Sequence, residues 1–347
     1  MRNIIKILLV VVALGAAKPV LAGEVGESIV FNPVTGNYLI TYLNSTDDTL
    51  RQIIFIPATK FNPTLKSTFR REVGMPIHYE YTLTSGRESQ QDIVSLILDP
   101  VSSVVSDLPD IPLNAPPGKI MGDMNKVANY FDTPVSWDAF MAYSRSQMTF
   151  RVGWGWDYKL ETGGLTPGSK AVFGFKSRDL PGIIRAELHS YAEGSQNIPS
   201  GEVDDEDGGF GQQYTELAYK NNHVPRYAAV PTIAVPSPFD AAVTLERIRA
   251  NTHTWIGMKL LDTTFSSQLD RSLTAAADAY RRNQLQAGRD HIQDVRLLLK
   301  RAYADIENED IADENTGNNQ GAQFKNGMIA RLAARVLDFN VKYVLTR

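Results

Sequence analysis

Residues 148–192 have the sequence MTFRVGWGWDYKLETGGLTPGSKAVFGFKSRDLPGIIRAELHSYA. At the start of this segment every second residue is apolar: Met148, Phe150, Val152, Trp154, Trp156, Tyr158 and Leu160. An alternation of period two predicts one long β-strand with one buried face. Turns that contain glycine and proline follow at 163–168 and 180–182. They separate two further predicted strands, at 171–175 and 184–192, so the segment predicts an antiparallel β-meander with an aromatic face.

The residues before this segment predict more strands, because they contain short runs of β-branched and aromatic residues between polar turns. These strands are predicted at 29–31, 38–43, 50–56, 77–83 and 93–98. Residues 99–118 are rich in proline, serine and aspartate and predict a long surface connection. After the meander, four prolines interrupt both helix and central strand, at positions 225, 231, 236 and 238. We therefore expect the β-rich part of the chain to end at residue 235.

From Ser237 onward the apolar residues recur every three or four positions, which is typical of amphipathic helices. Ser237 and Asp240 resemble a helix-capping box with Pro238 at the first helical position, and Ser267 with Asp270 repeats the signature. The apolar stripes of the four predicted helices include Leu245, Ile248 and Trp255; Leu269, Leu273 and Ala276; Ile292, Val295 and Leu299; and Leu332, Val336, Phe339 and Tyr343. Each stripe must be buried against another helix or the sheet.

Strands followed by helices predict an α+β fold, here an antiparallel β-sandwich followed by a C-terminal α-helical bundle. The predicted domains are the sandwich at 23–235 and the helical domain at 236–347. The mature chain would be long enough for both to bury a core of their own.

Residues 1–22 have the features of a secretory signal peptide. Arg2 and Lys6 precede an apolar run at 7–17, and Val20, Leu21 and Ala22 supply small or apolar residues for cleavage. The apolar run is shorter than the roughly 20 residues that span a bilayer. We expect cleavage after Ala22 and a periplasmic or secreted protein without a transmembrane segment.

Composition limits the partners of such a protein. Loss of residues 1–22 removes three basic residues and no acidic one, so the formal charge falls from -4 to -7. A mildly acidic protein has no general electrostatic attraction to nucleic acid, which we do not expect as a partner. The chain has no cysteine, so disulfides, thiol catalysis and thiolate metal sites are all excluded.

The sequence contains no catalytic motif with a diagnostic spacing: no G-x-S-x-G, no H-E-x-x-H, no phosphate-binding loop and no G-x-G-x-x-G. The five histidines are distributed over separate predicted elements. No catalytic residue and no cofactor is therefore predicted. The one alternative is a metal ion bound at an acidic segment.

That alternative is the acidic run at 202–207, which includes Asp204, Asp205, Glu206 and Asp207. Calcium ions favour several carboxylate oxygens on a flexible loop, so these four residues are candidate Ca²⁺ ligands. In an EF-hand alignment, however, Thr215 takes the position of the bidentate glutamate. A solvated loop is the favoured interpretation, because runs of like charge are usually exposed.

Trp154, Trp156 and Tyr158 are the candidate ligand-binding residues. They share one predicted strand face, and flat aromatic rings of this kind can stack on sugar rings. The same face continues through Val152 and Leu160, which suit a sandwich core better than a binding platform. Both interpretations stay open, with the core favoured.

Part of the predicted sandwich resembles a known group of proteins. The matching segments are Tyr79-Glu80-Tyr81, Gln91-Asp92-Ile93, Trp137, Gly164-Leu165-Thr166-Pro167-Gly168, Phe173-Gly174-Phe175 and Leu180-Pro181-Gly182. Together they resemble a β-sandwich found in uncharacterised exported bacterial proteins. The resemblance implies an exported, non-catalytic protein and supplies no catalytic residue.

Residues 269–306 are similar to small helical modules near the C-termini of bacterial surface proteins. Leu273, Ala276, Tyr280, Ala287 and Gly288 stand at the matching places. The polar segment at 310–321 is longer than the corresponding part of such modules.

The first functional expectation is an exported non-enzymatic protein that acts in binding or in surface assembly, with an unknown protein or glycan as its partner. The alternative is a carbohydrate-active protein, either a binding module or a hydrolase, that uses the aromatic strand face. Carboxylate pairs for glycoside hydrolysis cannot be identified from spacing, because the fold sets their separation.

Overall fold

A computed structural model describes ten segments of the chain. They are residues 26–44, 47–57, 60–72, 74–104, 131–144, 146–156, 163–190, 210–220, 223–303 and 328–347. The predicted signal peptide at 1–22, the acidic run at 202–207 and Tyr158 lie outside them.

The described residues form an α+β fold of twelve strands and five helices. The strands are β1 (Ser28–Asn32), β2 (Asn37–Asn44), β3 (Thr49–Phe55), β4 (Pro63–Arg71), β5 (Ile77–Ser85), β6 (Ile93–Val101), β7 (Phe131–Asp132), β8 (Trp137–Ser144), β9 (Thr149–Trp156), β10 (Lys170–Ser177), β11 (Leu180–Ser190) and β12 (His223–Ile233). The helices are α1 (Phe210–Lys220), α2 (Ala241–Gly257), α3 (Thr263–Arg281), α4 (Leu285–Ala302) and α5 (Arg331–Leu345). None of these helices is long and apolar enough to cross a membrane.

The chain divides into two compact units. The first comprises Met1–Phe55 and Gly194–Tyr219, and the second comprises Ile56–Glu193 and Lys220–Arg347. The described part of the first unit holds the antiparallel sheet β1-β2-β3 and nearly all of α1. The boundary predicted at residue 235 falls inside the second unit, and the independent folding of the two predicted domains stays a prediction.

The second unit contains a β-sandwich. One sheet has the strand order β4-β5-β10-β7 and the other the order β12-β11-β6-β9-β8, and the strand pairs in both are antiparallel. The two sheets face each other, since the rings of Tyr81 in β5 and Trp154 in β9 lie 6.0 Å apart between centroids. The hydroxyl of Tyr81 also donates to the carbonyl oxygen of Ala229 in β12, at 3.1 Å.

The predicted meander is wrong, although its three strands are present. β9 and β11 lie on either side of β6 in one sheet, whereas β10 pairs with β5 and β7 in the other. The segment 163–168 therefore does not join neighbouring strands of one sheet. Residues 180–182, predicted as a turn, are the first residues of β11, and β10 passes to β11 through Arg178 and Asp179. A turn signal indicates that the chain reverses direction. The alternation of apolar residues predicts a strand, but it is the same in both sheets of a sandwich and does not indicate which sheet the strand joins.

Two of the prolines taken as the end of the β-rich part lie inside a strand. β12 contains Pro225 and Pro231 and extends over eleven residues. It is an edge strand, so an amide hydrogen missing on its outer side interrupts no ladder. The prolines correctly indicate that this segment is not a central strand, but they do not exclude an edge strand.

The four predicted helices are α2 to α5, but two predicted starts are wrong. α2 begins at Ala241, and the side chain of Asp240 caps it by accepting from the amide of Val243 at 2.9 Å, so Pro238 precedes the cap. α3 begins at Thr263, because Asp262 caps it through the amides of Thr264 and Phe265. The Ser267 and Asp270 signature is thus inside the helix.

Helix α5 lies at the junction of the sandwich and the helices. It is buried on nearly all sides, including the carboxylate of Asp338, which accepts from Arg296 at 3.0 Å and from Lys342 at 2.7 Å. The ring of Phe339 packs edge-on against Phe69 of β4 at 5.1 Å, and the side-chain amide of Asn340 donates to the carbonyl oxygen of Pro181 in β11 at 2.8 Å. α5 therefore contacts both sheets.

Candidate functional site

The predicted aromatic residues do not share one environment. The side chain of Trp154 is 0% exposed and is surrounded by the rings of Tyr81, Phe131, Phe173 and Phe175. This is the environment that the core interpretation expects, because an enclosed indole presents no face to a sugar.

Trp156 is half-buried at the end of β9, opposite Trp137 in β8, and Tyr158 lies outside the described residues. The strand begins at Thr149 rather than at Met148, whose side chain is 65% exposed. Trp154 and Trp156 therefore do not form one exposed aromatic face, and ligand binding by Trp154, Trp156 and Tyr158 stays a prediction.

The candidate Ca²⁺ ligands Asp204, Asp205, Glu206 and Asp207 all lie outside the described residues. Among the residues that are described, no group of three or more histidine and carboxylate side chains is placed to hold a metal ion. Calcium binding by the acidic run stays a prediction.

A small ionic cluster lies across three strands of the five-stranded sheet. Arg151 in β9 contacts Glu187 in β11 at 3.4 Å and Asp99 in β6 at 3.7 Å. His189 is 3.6 Å from the same Glu187 carboxylate and 5.7 Å, between ring centroids, from His223. Burial lowers the pKa of His189, opposed by Glu187 and reinforced by His223.

A depression of about 440 Å³ lies between α3 and α4. Its walls carry both signs of charge, with Asp270 and Asp278 beside Arg271, Arg282 and His291. Because the charges compensate each other, this surface favours neither an anion nor a cation.

A second pocket has a different character, and we refer to it as the arginine pocket. Its cavity of about 340 Å³ lies between the end of β4, the start of β5, the segment 235–239 and the end of α5. Three arginines line it, Arg71, Arg178 and Arg347, together with two aromatic side chains, Tyr343 and Phe239. Among the residues that the structure describes, the lining contains no aspartate, glutamate, lysine or histidine.

Two of the guanidinium groups stack on the same ring. That of Arg71 lies 4.5 Å from the ring centroid of Tyr343, and that of Arg347 lies 5.0 Å from it. Arg347 also donates to the hydroxyl of Tyr343 at 3.0 Å and lies 6.0 Å from the ring centroid of Phe239. The contacts are cation–π interactions, which hold both cations beside the cavity.

The arginine pocket has an excess of positive charge. Among the described residues, none of its three guanidinium groups forms an ion pair with a carboxylate. The pKa of Arg71 is lowered, first by burial and then by the neighbouring charge of Arg347. Two cations that repel each other without a carboxylate partner create a site where an anion is favoured.

The carboxylate of Asp179, next to Arg178 in the chain, forms no ion pair with the arginines of the pocket among the described residues. One of its oxygens accepts from the hydroxyls of Ser102 and Ser103, both at 2.7 Å. The other accepts from the amide of Val235, a pocket residue, at 3.1 Å. Asp179 is 8% exposed, and it positions one wall of the pocket rather than filling it.

Sequence reasoning missed this site because its residues belong to four separate segments with no motif between them. Tyr343 was predicted, but only as a core residue on the apolar stripe of the last helix. The three arginines have no sequence signal that distinguishes them from surface arginines.

No protein-family model matches the chain, and no curated protein matches it. One solved structure that resembles it is an uncharacterised protein from Nocardia farcinica, described as having an immunoglobulin-like fold. The likeness covers 48% of this chain and 98% of that one, at 13% sequence identity and a TM-score of 0.24. A similarity of this size supports no conclusion about function.

Proposed function

We propose that this chain is an exported, non-enzymatic binding protein and that the arginine pocket is its ligand-binding site. The observation that carries the proposal is the group of three arginines without an acidic partner beside an open cavity. A folded protein gains nothing in stability from like charges held together, so such a group is better explained by an anionic ligand.

The lining of the pocket favours binding over catalysis. Among the described lining residues the only side-chain hydroxyls are those of Ser237 and Tyr343, and none has a histidine, aspartate or glutamate side chain that could act as a general base. The pocket can hold and orient an anion, but its lining offers no group to activate a nucleophile.

Export is proposed from the sequence of residues 1–22, and it places the protein in the periplasm or outside the cell. A role in surface assembly is compatible with the same pocket if the anion belongs to another protein. The partner is then recognised through a charged group and not through a broad apolar surface.

Isothermal titration calorimetry on the mature chain tests the proposal. The panel contains organic carboxylates, phosphate, sulfate, and neutral and anionic glycans, at low and high salt. We expect at least one anion to bind more weakly at high salt, and Arg71→Gln or Arg347→Gln to weaken it about tenfold or more.

Arg185→Gln is the matched control, because Arg185 also lies over a tyrosine ring, that of Tyr227 at 5.8 Å, but outside the pocket. Equal anion binding by the pocket variants and the control would overturn the proposal. Binding of a neutral glycan that is lost in Trp156→Ala would favour the carbohydrate alternative instead.

A further inference from the structure

We infer that the arginine pocket takes a carboxylate carried on an apolar body. The inference rests on the proposed binding function and names the chemical class of the ligand. It follows from three properties of the pocket: the presentation of the guanidinium groups, the composition of the walls and the polarity of the nearby helix end.

Arg71 and Arg347 both line the cavity, and their guanidinium groups lie 4.5 and 5.0 Å from the ring centroid of Tyr343. One N–H of Arg347 donates to the hydroxyl of Tyr343, and among the described residues neither guanidinium group is paired with a carboxylate. A guanidinium edge matches the two oxygens of a carboxylate in a bidentate arrangement. Stacking on the ring also restricts the arginine side chains before the ligand arrives, which lowers the entropic cost of binding.

The rest of the lining is mainly apolar. It includes Met75, Pro76, Ile77, Val235, Pro236 and Phe239. Met75 is 54% exposed and leaves apolar surface for a ligand to cover. A ligand with an apolar body would bury this surface, whereas a small inorganic anion would leave it in water.

A sugar fits this lining poorly. A polyol needs a hydrogen-bonding partner for most of its hydroxyls, and unpaired buried hydroxyls cost binding energy. In the part of the lining that the structure describes, only the side chains of Ser237, Tyr343 and the arginines can serve them, and there is no asparagine, glutamine, aspartate or glutamate.

A phosphate dianion is also disfavoured. Phosphate sites commonly use main-chain amides at the N-terminus of a helix, where the dipole is positive. Here the helix end at the pocket is the C-terminal end of α5, which finishes at Leu345 beside the lining residues Tyr343 and Arg347. Its partial negative charge opposes a dianion more than a monovalent carboxylate.

Two sources could supply this chemistry: a free alkyl or aryl carboxylic acid, or the C-terminal carboxylate of a peptide whose last residue is apolar. The cavity of about 340 Å³ is at the lower end of the usual range for small-ligand sites. It has room for one such group and not for a long folded segment.

Calorimetry with a matched series tests the inference. The ligands are acetate, butyrate, hexanoate, 3-phenylpropionate, the neutral 3-phenylpropanol, and phosphate. A second arm uses a tripeptide that ends in phenylalanine, as the free acid and as the amide. We expect affinity to rise by about fourfold for each added methylene that is buried, and 3-phenylpropanol not to bind measurably.

The variants separate the two parts of the site. Arg347→Gln should weaken every carboxylate in the series, whereas Met75→Ser should reduce the gain in affinity with chain length. Arg185→Gln should change neither the affinity for carboxylates nor its dependence on chain length. Binding of the tripeptide acid but not of its amide would assign the source to a peptide end, and binding of the small acids alone would assign it to a metabolite.

Phosphate binding with no gain along the carboxylate series would overturn this inference and leave the anion-binding function standing. Binding of no anion at all would overturn both. Equal binding of 3-phenylpropanol and 3-phenylpropionate would also overturn the inference, because the carboxylate would then have no role.

Discussion

Two aromatic clusters in the second unit have opposite characters. Around Trp154 every ring is covered by other rings, and the indole is 0% exposed. Around Tyr343 the ring is also largely covered, at 6% exposed, but besides the ring of Phe239 its neighbours are two guanidinium groups that border an open cavity. The low exposure of a ring therefore does not distinguish a core from a site, whereas the chemistry of the groups that cover it does.

The difference has an energetic consequence. Rings that cover Trp154 remove apolar surface from water on both sides of the contact, which stabilises the fold. Arginines that cover Tyr343 gain a cation–π interaction but lose part of it to their mutual repulsion. We expect substitutions in the first cluster to change stability and substitutions in the second to change binding.

Trp154→Ala should have the largest effect. Removal of a fully buried tryptophan leaves a cavity in the sandwich, and the expected loss of unfolding free energy is about 3–5 kcal/mol. Urea denaturation followed by circular dichroism measures it. Val172→Ala, at a position that is 43% exposed in β10, is the control and should cost less than about 0.5 kcal/mol. A loss below about 1 kcal/mol at Trp154 would place the residue outside the core.

The strand that carries Trp154 offers a second test at its two glycines. A Cβ atom at Gly153 would overlap the ring of Phe140 and lie 2.9 Å from the carbonyl oxygen of Leu96. A Cβ atom at Gly155 would meet nothing within 4 Å. Gly153→Ala should therefore cost about 1–3 kcal/mol, as in an overpacked core.

Gly155→Ala, two residues away in the same strand, is the matched control. It should be neutral or stabilise by up to about 1 kcal/mol, since alanine restricts the unfolded chain more than glycine does. The same urea titration measures both variants. Similar losses at the two positions would show that strand propensity, and not the contact with Phe140, sets the requirement for glycine.

Several elements of the fold could be predicted because their patterns are local. The α+β class, the strands of the Trp154 segment and the apolar stripes of α2 to α5 follow from periods of two and of three to four residues. Pairing between strands could not be predicted in the same way. β10 and β11 follow each other in the chain yet belong to different sheets, since a turn does not specify the partner of the next strand.

The arginine pocket could not be predicted, because its residues come together only after both sheets and α5 are packed. Arg71 and Arg347 are 276 positions apart in the sequence, and they meet on the ring of Tyr343. The hydrogen bond from the amide of Val235 to the carboxylate of Asp179 likewise joins residues that are far apart in the sequence. The resemblance to exported sandwich proteins gave no residue of this site, and the candidate residues Asp204, Asp205, Glu206 and Asp207 remain untested.

His189 is expected to have a smaller effect on the stability of the fold, and only at acid pH. Burial lowers the pKa of His189 below its usual value of 6.5, with Glu187 opposing the shift and His223 and Arg151 reinforcing it. The unfolded chain therefore takes up this proton at a higher pH than the folded chain. The contribution of His189 to stability is complete above pH 6.5 and is lost as the pH falls through the folded pKa.

Urea titrations from pH 7.5 to pH 5 measure this effect. The parent protein should lose stability over the range, and His189→Gln should lose less. His253→Gln makes the same substitution at a half-exposed position on α2. If the free energy of unfolding of His189→Gln depends on pH as steeply as that of the parent protein, the acid sensitivity belongs to other groups.

The smallest change in stability should come from the pocket itself. Arg71→Gln removes a cation–π contact worth about 0.5–1 kcal/mol, but it also removes the repulsion from Arg347, so we expect a net change within about 0.5 kcal/mol. Asp338→Asn in α5, only five residues before Tyr343, is the contrast. Its carboxylate is buried and accepts from Arg296 and Lys342, so the loss should be on the order of 2 kcal/mol. If Arg71→Gln destabilised the protein as much as Asp338→Asn, the arginines would be structural, and the distinction between a closed core and a charged site would fail.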